Sequence, residues 1–507
     1  MVAYRFCAVM IILAACCLIV HADPTRPWTE SSPFPSWKDT RPLRTITLTF
    51  DENKSSTQNG AALAEAIDSL IAGDCLEIGT GTYSVNKWWN VVLHGTWQNP
   101  IRIVAAEGAE PVITRPDANQ NVMNVAAQSG DTTTFVCFRG LEFTGGSSML
   151  RLYRCANVWV DSCELHDGGN VGITANSANT EYLYLTRNHV YNPGPSNATS
   201  EGMYLGANNS AYVMRYSVIA FNTIHDCGGT QGDGIEIKQG SYNNWIVGNY
   251  VYDTNYPCII AYGTDGKGIN VIENNTVLRS NSNTMQVQGE AIVGNNLIIS
   301  GGGDAFHCHD HQGQTTNLQV IHNTIVNDGL ACRLSSWNGR ENMVFANNAV
   351  YSTGTALNFP NGSSGVTIAG NVVYGSVSKA SGGYEEGTGL QDFMDITWDG
   401  THYDARPSSG SPLIGAAGPS HAVATDLNFS SRIAPFDAGA VEYDGATVLP
   451  PERMGGIRSN TPTGYTLLYV KNNHKNLYVP SGYDLLGRNI LRSSSLVQGV
   501  YITQQIR

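Results

Sequence analysis

A repeat of roughly two dozen residues constrains this chain more than any other feature of its sequence. The segment GDGIEIK, from Gly232 to Lys238, opens with a glycine turn and then alternates apolar and polar residues. Similar segments return at spacings of 21 to 32 residues. A coil of this length with several short strands is typical of a parallel β-helix. The residues equivalent to Asp233 are Ser148, Val171, Glu201, Pro257, Asn283, Asp304, Leu330 and Thr355.

The strand of each repeat is predicted to have one apolar and one polar face. Successive side chains of a strand point to opposite faces, and stacked strands lie about 4.8 Å apart. The inward column is uniformly apolar: Leu150, Ile173, Met203, Ile235, Ile259, Met285, Phe306, Cys332 and Leu357. We call the outward surface the polar stripe. Its two columns are Arg151, Thr174, Tyr204, Glu236, Ile260, Gln286, His307, Arg333 and Asn358, and Tyr153, Asn176, Gly206, Lys238, Tyr262, Gln288, His309, Ser335 and Pro360.

An asparagine also recurs once in each repeat. Asparagine side chains stacked along a coil axis hydrogen-bond to one another in a ladder, so this column is predicted to be structural. Its members are Asn188, Asn222, Asn249, Asn275, Asn296, Asn323, Asn348 and Asn371.

The start of the chain is predicted to be a targeting segment. Residues 1–22 combine Arg5, an apolar run and a small-residue cleavage site, which indicates a signal peptide and a secreted or cell-surface protein. The competing interpretation is a lipoprotein with Cys16 as its lipid anchor. Residues 23–43 are predicted to form an extended lead-in. The apolar spacing from Ala61 to Ile71 predicts a helix that caps the coil.

Charge limits the partners of this protein. It has 29 Lys and Arg against 42 Asp and Glu, a net charge of −13. Such an acidic chain lacks the basic field that binds nucleic acid. A polyanionic substrate would need local cations or a bound metal. A capped solenoid has no need of a second copy, so we expect a monomer.

The cysteines point to packing more than to chemistry. Eight of the 11 follow the targeting segment, and none forms a CxxC pair, which argues against structural zinc. Export would permit disulfides. Cys308 and Cys332 fall on inward strand positions, where cysteine behaves as a small hydrophobic residue.

The polar stripe is the predicted functional surface. Aromatic faces stack on sugar rings while polar edges bind hydroxyls, so a face of this kind fits an extended polysaccharide. The predicted substrate-binding residues are Arg151, Tyr153, Tyr204, Gln286, Gln288 and Trp337. The alternative is an ordinary solvated face with chance polar residues.

Carboxylates from neighbouring repeats could hold a metal ion. Glu201 and Asp233 occupy one column, and Glu236 follows closely. Ca²⁺ takes several oxygen ligands, so these three side chains predict a calcium site. The alternative is that Glu201 and Asp233 cap turns through local hydrogen bonds.

The helix, the repeats, the asparagine column and a closing segment at 411–443 together resemble the pectate-lyase-like right-handed parallel β-helix superfamily. This likeness implies that the closing segment finishes the coil. The resemblance covers residues 44–445. It implies an all-β fold, a single-stranded right-handed parallel β-helix with an N-terminal helical cap. After a linker at 446–463, the motifs YDLLGR and GVYI at 464–507 resemble a type IX secretion sorting domain. That likeness implies a small β-sandwich tail that engages secretion machinery.

The resemblance also implies a reaction. Lyases of this superfamily cut uronate chains by β-elimination: a Lys or Arg takes the C5 proton, and Ca²⁺ or a cation neutralises the adjacent carboxylate. This implies Lys238 as the base and Arg333 as the carboxylate clamp. Lyases of this shape carry an arginine one repeat after the lysine, and this chain lacks it. The residue that protonates the leaving group is therefore left open among His307, His309 and Tyr262.

Other activities fit the same scaffold. A glycoside hydrolase needs two carboxylic acids, which Glu201, Asp233, Glu236 or Asp304 could supply. An epimerase shares the first proton abstraction with a lyase. A non-catalytic carbohydrate-binding surface protein is the third alternative.

Overall fold

The structure is a computed structural model that describes residues 32–445. The predicted signal peptide, the Cys16 anchor, the linker and the sorting-domain tail lie outside these residues and stay predictions. Within the described range, no helix is long and apolar enough to cross a membrane.

Residues 44–386 form the right-handed parallel β-helix that the repeat predicts, with about 13 turns. Each turn contributes strands to three parallel ladders. The first ladder contains Arg44–Leu48, Asp74–Ile78, Ile101–Ala105, Thr133–Arg139, Cys155–Asp161, Tyr184–Thr186, Val218–Ala220, Trp245–Val247, Asn270–Glu273, Ala291–Gly294, Leu318–Ile321, Val344–Ala346 and Thr367–Ala369, with the short strands Thr180–Glu181 and Met214–Arg215 beside it.

The second ladder carries the polar stripe, and the third lies on the next face of the coil. The second contains Asn90–Val91, Met123–Val125, Leu150–Leu152, Ile173–Ala175, Met203–Leu205, Ile235–Ile237, Ile259–Ala261, Met285–Val287, Phe306–Cys308 and Leu330–Leu334. The third contains Gly81–Ser84, Pro111–Arg115, Glu142–Gly145, Glu164–His166, His189–Tyr191, Thr223–Cys227, Tyr250–Thr254, Thr276–Ser280, Leu297–Gly301, Thr324–Asn327, Ala349–Asn358, Asn371–Ser378 and Tyr384–Glu386. The long strand Ala349–Asn358 pairs with both ladders.

The interior is filled by the predicted inward column. All nine of its side chains are buried in one continuous core that runs along the coil. Cys308 and Cys332 belong to this core, as predicted. The eight cysteines of the described range are all buried free thiols. Burial of apolar surface is the main force that stabilises a solenoid. Each turn contacts only its neighbours, so the apolar column also holds successive turns together.

The asparagine ladder is confirmed. The side-chain nitrogen of Asn222 donates to the side-chain oxygen of Asn249 at 2.9 Å and to the Leu185 carbonyl at 2.9 Å. The Asn249 oxygen also accepts from the Asn222 backbone N–H at 3.0 Å. The same pattern joins neighbours from Asn188 to Asn371. It satisfies backbone groups at a buried corner of every turn.

The N-terminal helix spans Ser56–Asp68, five residues earlier at its start than the sequence pattern predicts. Ser55 caps it through the Gln58 backbone N–H, and the Gln58 side chain bonds back to the Ser55 N–H. This capping box fixes where the helix begins. Leu63 and Ile67 face the first turns of the coil and close its apolar interior.

The chain outside the coil lies along its flanks. In the lead-in, Trp37 packs edge-on against Trp159 of the first ladder at 5.8 Å between ring centroids. After Glu386 come two 3₁₀ turns and one antiparallel pair of strands. The two 3₁₀ turns are Leu390–Asp392 and Pro419–His421, and the paired strands are Phe393–Ile396 and Tyr403–Pro407. Another 3₁₀ turn, Asn208–Ser210, lies within the coil.

The closing segment covers a side of the coil instead of its end. Asn295 donates to the Thr425 carbonyl at 2.7 Å, and Arg432 donates to the Asn295 side chain at 2.8 Å. Apolar residues of the segment pack on the outer face of the third ladder: Leu413, Ala438, Ala440 and Val441 against Leu278, Leu297 and Ile299. The prediction that this segment finishes the coil was therefore wrong, because its apolar residues match an outward face several turns long.

Candidate functional site

The polar stripe forms with the predicted register. Tyr204 pairs with Glu236, and Glu236 with Ile260. The pairing continues through Gln286 to His307 and from His307 to Arg333. Residues that are far apart in sequence are thus stacked at the strand spacing of about 4.8 Å.

The first of two clusters of charged and aromatic side chains on the polar stripe lies around Lys238. Its ammonium forms an ion pair with Glu236 and sits over the ring of Tyr204 at 4.5 Å and that of Tyr262 at 5.2 Å. The Lys238 side chain is only 5% exposed. Both tyrosine faces and a carboxylate therefore stabilise the positive charge.

The electrostatics of Lys238 disagree with its predicted role as the base. Burial alone would lower its pKa, but the charge of Glu236 and hydrogen bonds to Glu236 and Tyr204 outweigh burial and raise it. A base must be deprotonated to accept a proton, so this environment favours the wrong form. In the free protein these contacts hold Lys238 in its charged form.

Glu201 and Asp233 lie buried beside this ion pair. Burial, together with the charges of Glu236 and Glu201, raises the pKa of Asp233 well above its usual value. Burial also raises the pKa of Glu236 to about 7 and raises that of Glu201. One oxygen each of Asp233 and Glu236 is buried without a hydrogen-bond partner.

These carboxyls do not fit the predicted calcium site as they stand. The Lys238 ammonium already occupies one side of Glu236, and the Thr199 hydroxyl donates to Glu201. Among residues 32–445, no group of three or more His, Cys, Asp or Glu is arranged to hold a metal ion. Calcium stays a prediction that this arrangement does not favour.

A second centre lies around His307. Its Nδ1 is 2.6 Å from Asp304, and Arg333 donates to both oxygens of the same carboxylate at 2.8 and 3.2 Å. Burial would raise the pKa of Asp304, but His307 and Arg333 together lower it. Asp304 is therefore ionised and can only accept. In neutral His307 the proton lies on Nδ1, which leaves Nε2 free to accept another proton.

The two centres are connected by the segment that follows His307. The ring of His309 lies 4.7 Å from that of His307, and the ring of His311 lies 5.5 Å from His309 and 5.1 Å from Tyr262. Gln312 then reaches the Asn208 side chain at 3.4 Å. Residues 309–312 thus run back along the margin of the polar stripe beside Lys238, and we call them the wall of the site.

This wall is anchored at its base, and it contributes a residue that sequence reasoning left without a role. Asp310 accepts from Arg340 at 2.8 Å and from the Thr315 backbone N–H at 2.7 Å. Burial lowers the pKa values of His309 and His311. The third histidine in the HCHDH run was the available signal for His311, but only the return of the chain places it near Lys238.

The other predicted substrate-binding residues lie along the same face. Arg151 donates to Asn176 at 2.9 Å and lies over the ring of Tyr153 at 5.2 Å. Gln286 accepts from the Asn283 side chain at 3.1 Å. Gln288 is buried, with its side-chain oxygen unpartnered. Tyr204, half-buried, packs under Lys238.

Trp337 does not belong to the stripe. It is completely buried in the coil interior, where its ring packs against Phe345 and Phe359 at 6.3 and 6.0 Å. The prediction that it binds substrate was wrong. It follows the strand Leu330–Leu334, and past the strand end the alternation of faces no longer indicates where a side chain points.

Comparisons with known proteins support the fold. A family model described as a right-handed β-helix region matches residues 119–266. The structure of XylC with xylose is similar at a TM-score of 0.51 and 10% identity, covering 78% of this chain and 98% of that one. Pectate lyase Pel9A gives 0.46 at 15% identity, covering 80% and 98%. An alginate lyase from Paenibacillus sp. str. FPU-7 gives 0.34 at 15%, covering 68% and 97%. No curated protein matches the chain.

Proposed function

We propose that this protein is a polysaccharide lyase that cleaves a uronate-containing chain by β-elimination, with His307 as the base. The observation that carries the proposal is the Asp304–His307–Arg333 group on the polar stripe. It combines an imidazole held with one nitrogen free and a guanidinium beside it. These are the two functions that removal of a proton next to a carboxylate requires.

The reaction uses these groups as follows. Nε2 of His307 takes the C5 proton, the C4–O bond breaks, and a C4–C5 double bond forms. Arg333 uses two donors on Asp304 and keeps others for the substrate carboxylate. Its side chain is 41% exposed, so a polymer can reach it. The positive charge stabilises the carbanion-like transition state.

The leaving oxygen needs a proton, and we assign this role to His309. Its ring lies 4.7 Å from His307. Its pKa is lowered by burial in the free protein, but an arriving carboxylate raises the pKa of a neighbouring imidazole. Tyr262 is the alternative acid, because burial and Glu236 raise its pKa and keep its phenol protonated.

A product assay tests the proposal. Purified protein is incubated with pectate, alginate, glycosaminoglycans and neutral glycans, and the ultraviolet absorbance of an unsaturated product is followed. We expect absorbance to rise with one of the uronate polymers only. Reducing ends without absorbance would indicate a hydrolase, altered uronate stereochemistry without cleavage an epimerase, and retention without products a binding protein. Each of these outcomes would overturn the lyase proposal.

The variant His307→Gln tests the base. We expect it to fold normally and to lose about 10²- to 10⁴-fold in kcat, the usual contribution of a positioned general base. The matched control is His402→Gln. His402 also bonds to a carboxylate, Asp395, at 2.9 Å, but it lies directly before the strand Tyr403–Pro407, away from the stripe. Equal activity of the two variants would exclude His307 as the base.

Calcium binding is a separate proposal, and chelation tests it. Loss of turnover in EDTA, restored by added Ca²⁺, would support a metal near Glu201, Asp233 and Glu236 despite the present side-chain arrangement.

Export through the predicted signal peptide and tail would place the protein outside the cell or on its surface. Fractionation of expressing cells would check this location.

A further inference from the structure

A tryptophan without an assigned role stands at the upstream end of the polar stripe. Trp88 is 62% exposed, although its neighbour Trp89 is buried. Trp89 and Val91 both point into the core. Exposure alternates along residues 88–91: Trp88 is exposed, Asn90 is half-buried, and Trp89 and Val91 are buried, so Trp88 and Asn90 face away from the core together.

Asn90 belongs to the same column as the candidate active site. It pairs with Asn124, and Asn124 pairs with Arg151 of the stripe. The Asn124 side chain donates to Asn90 at 3.1 Å and accepts from Asn121 at 2.7 Å. The stripe therefore extends two turns beyond the repeats found in the sequence and ends at an exposed aromatic ring.

We propose that Trp88 is the platform of a distal subsite that stacks on a sugar ring of the substrate polymer. This inference rests on the proposed function for the choice of polymer. The polar surroundings favour a sugar over an apolar partner: amides and the Arg151 guanidinium line the path from Trp88. Such groups bind hydroxyls and carboxylates, while the indole face packs on the apolar face of a pyranose.

The position of the subsite sets a length requirement. Eight successive strand pairings separate Asn90–Val91 from Phe306–Cys308. At about 4.8 Å for each, the Trp88 end lies on the order of 38 Å from His307. Only a long chain can occupy both places at once. Binding at the distal subsite raises the affinity for polymers and leaves short oligosaccharides unaffected, since the second contact is intramolecular.

Kinetics on substrates of two lengths test this subsite. For Trp88→Ala acting on a long polymer, we expect KM to rise about 2- to 10-fold with kcat unchanged. An oligosaccharide too short to span the stripe should give unchanged KM. Trp88→Phe should restore most of the affinity, because it keeps an aromatic face. The control is Trp97→Ala, since Trp97 is 48% exposed but bonds to Ser36 of the lead-in.

Affinity electrophoresis separates failure of this inference from failure of the proposed function. If no polymer is cleaved, retardation of the full-length protein in gels containing each polymer still reports binding. The inference predicts that one polymer retards the wild type and Trp97→Ala more than Trp88→Ala. Three results would overturn the inference. They are equal retardation of the two alanine variants, a KM for Trp88→Ala that rises as much on short substrates as on the polymer, and no retardation of the wild type.

Discussion

At the scale of single residues, the structure changes the meaning of Lys238. Sequence reasoning placed it as a base, which needs a lowered pKa. Its contacts with Glu236 and Tyr204 raise the pKa instead. A buried cation that is paired with Glu236 and stacked on two tyrosine rings is poorly suited to accept a proton. The imidazole of His307, aligned by Asp304, is better suited to proton abstraction.

Trp337 gives a prediction at the same scale. We expect Trp337→Ala to lower the free energy of unfolding by about 3–5 kcal/mol, because it leaves a large cavity in the core. KM should stay near the wild-type value wherever the variant is folded. Urea unfolding and steady-state kinetics on the same preparation check this. A stable variant with raised KM would return Trp337 to the substrate-binding surface.

At the scale of elements, the asparagine ladder joins the turns of the coil. Asn275 accepts from the Asn249 backbone and side chain, and it donates to Asn296 and to the Ile246 carbonyl. Each of these groups is buried. Water cannot replace the lost partner of a fully buried group, so a single removal leaves several polar atoms unsatisfied.

We therefore expect Asn275→Ala to cost about 3 kcal/mol in the free energy of unfolding. The control is Asn197→Ala, at an exposed loop position where the change should be within about 0.5 kcal/mol. Chemical denaturation followed by circular dichroism measures both. Similar stabilities of the two variants would mean that the ladder contributes little.

At the scale of the whole molecule, the closing segment holds several turns together from outside. His322 is buried where the coil meets this segment, with Nε2 at 3.0 Å from the Asn347 side chain. Burial, and then the charge of Arg432, lowers the pKa of His322 well below its usual value of 6.5. The folded protein therefore keeps His322 neutral, whereas the unfolded chain binds a proton below pH 6.5.

This difference predicts a loss of stability in acid. Below about pH 6.5 the unfolded state binds the extra proton, so the free energy of unfolding falls by up to about 1.4 kcal/mol for each pH unit. The variant His322→Asn should lack this slope. Thermal unfolding of both proteins at several pH values measures it, and parallel curves for the two would contradict the assignment.

The sequence by itself determined the periodic features: the β-helix, the inward apolar column, the asparagine ladder and the register of the polar stripe. These could be predicted because a solenoid repeats one local geometry, so spacing along the chain maps directly onto stacking in space. Alternation along each strand then fixes which side chains face outward. Glu236, His307 and Arg333 were placed correctly in one column on this basis.

Tertiary structure decided which of these side chains touch and in which charge state. The partners that set their protonation come from other turns or from the return of a loop. Asp304 and Arg333 are 29 residues apart, and His311 approaches Tyr262 only because residues 309–315 fold back. Trp337 and the closing segment were misjudged for the same reason. Turns and flanking segments follow no period, so their positions depend on which surfaces remain to be covered.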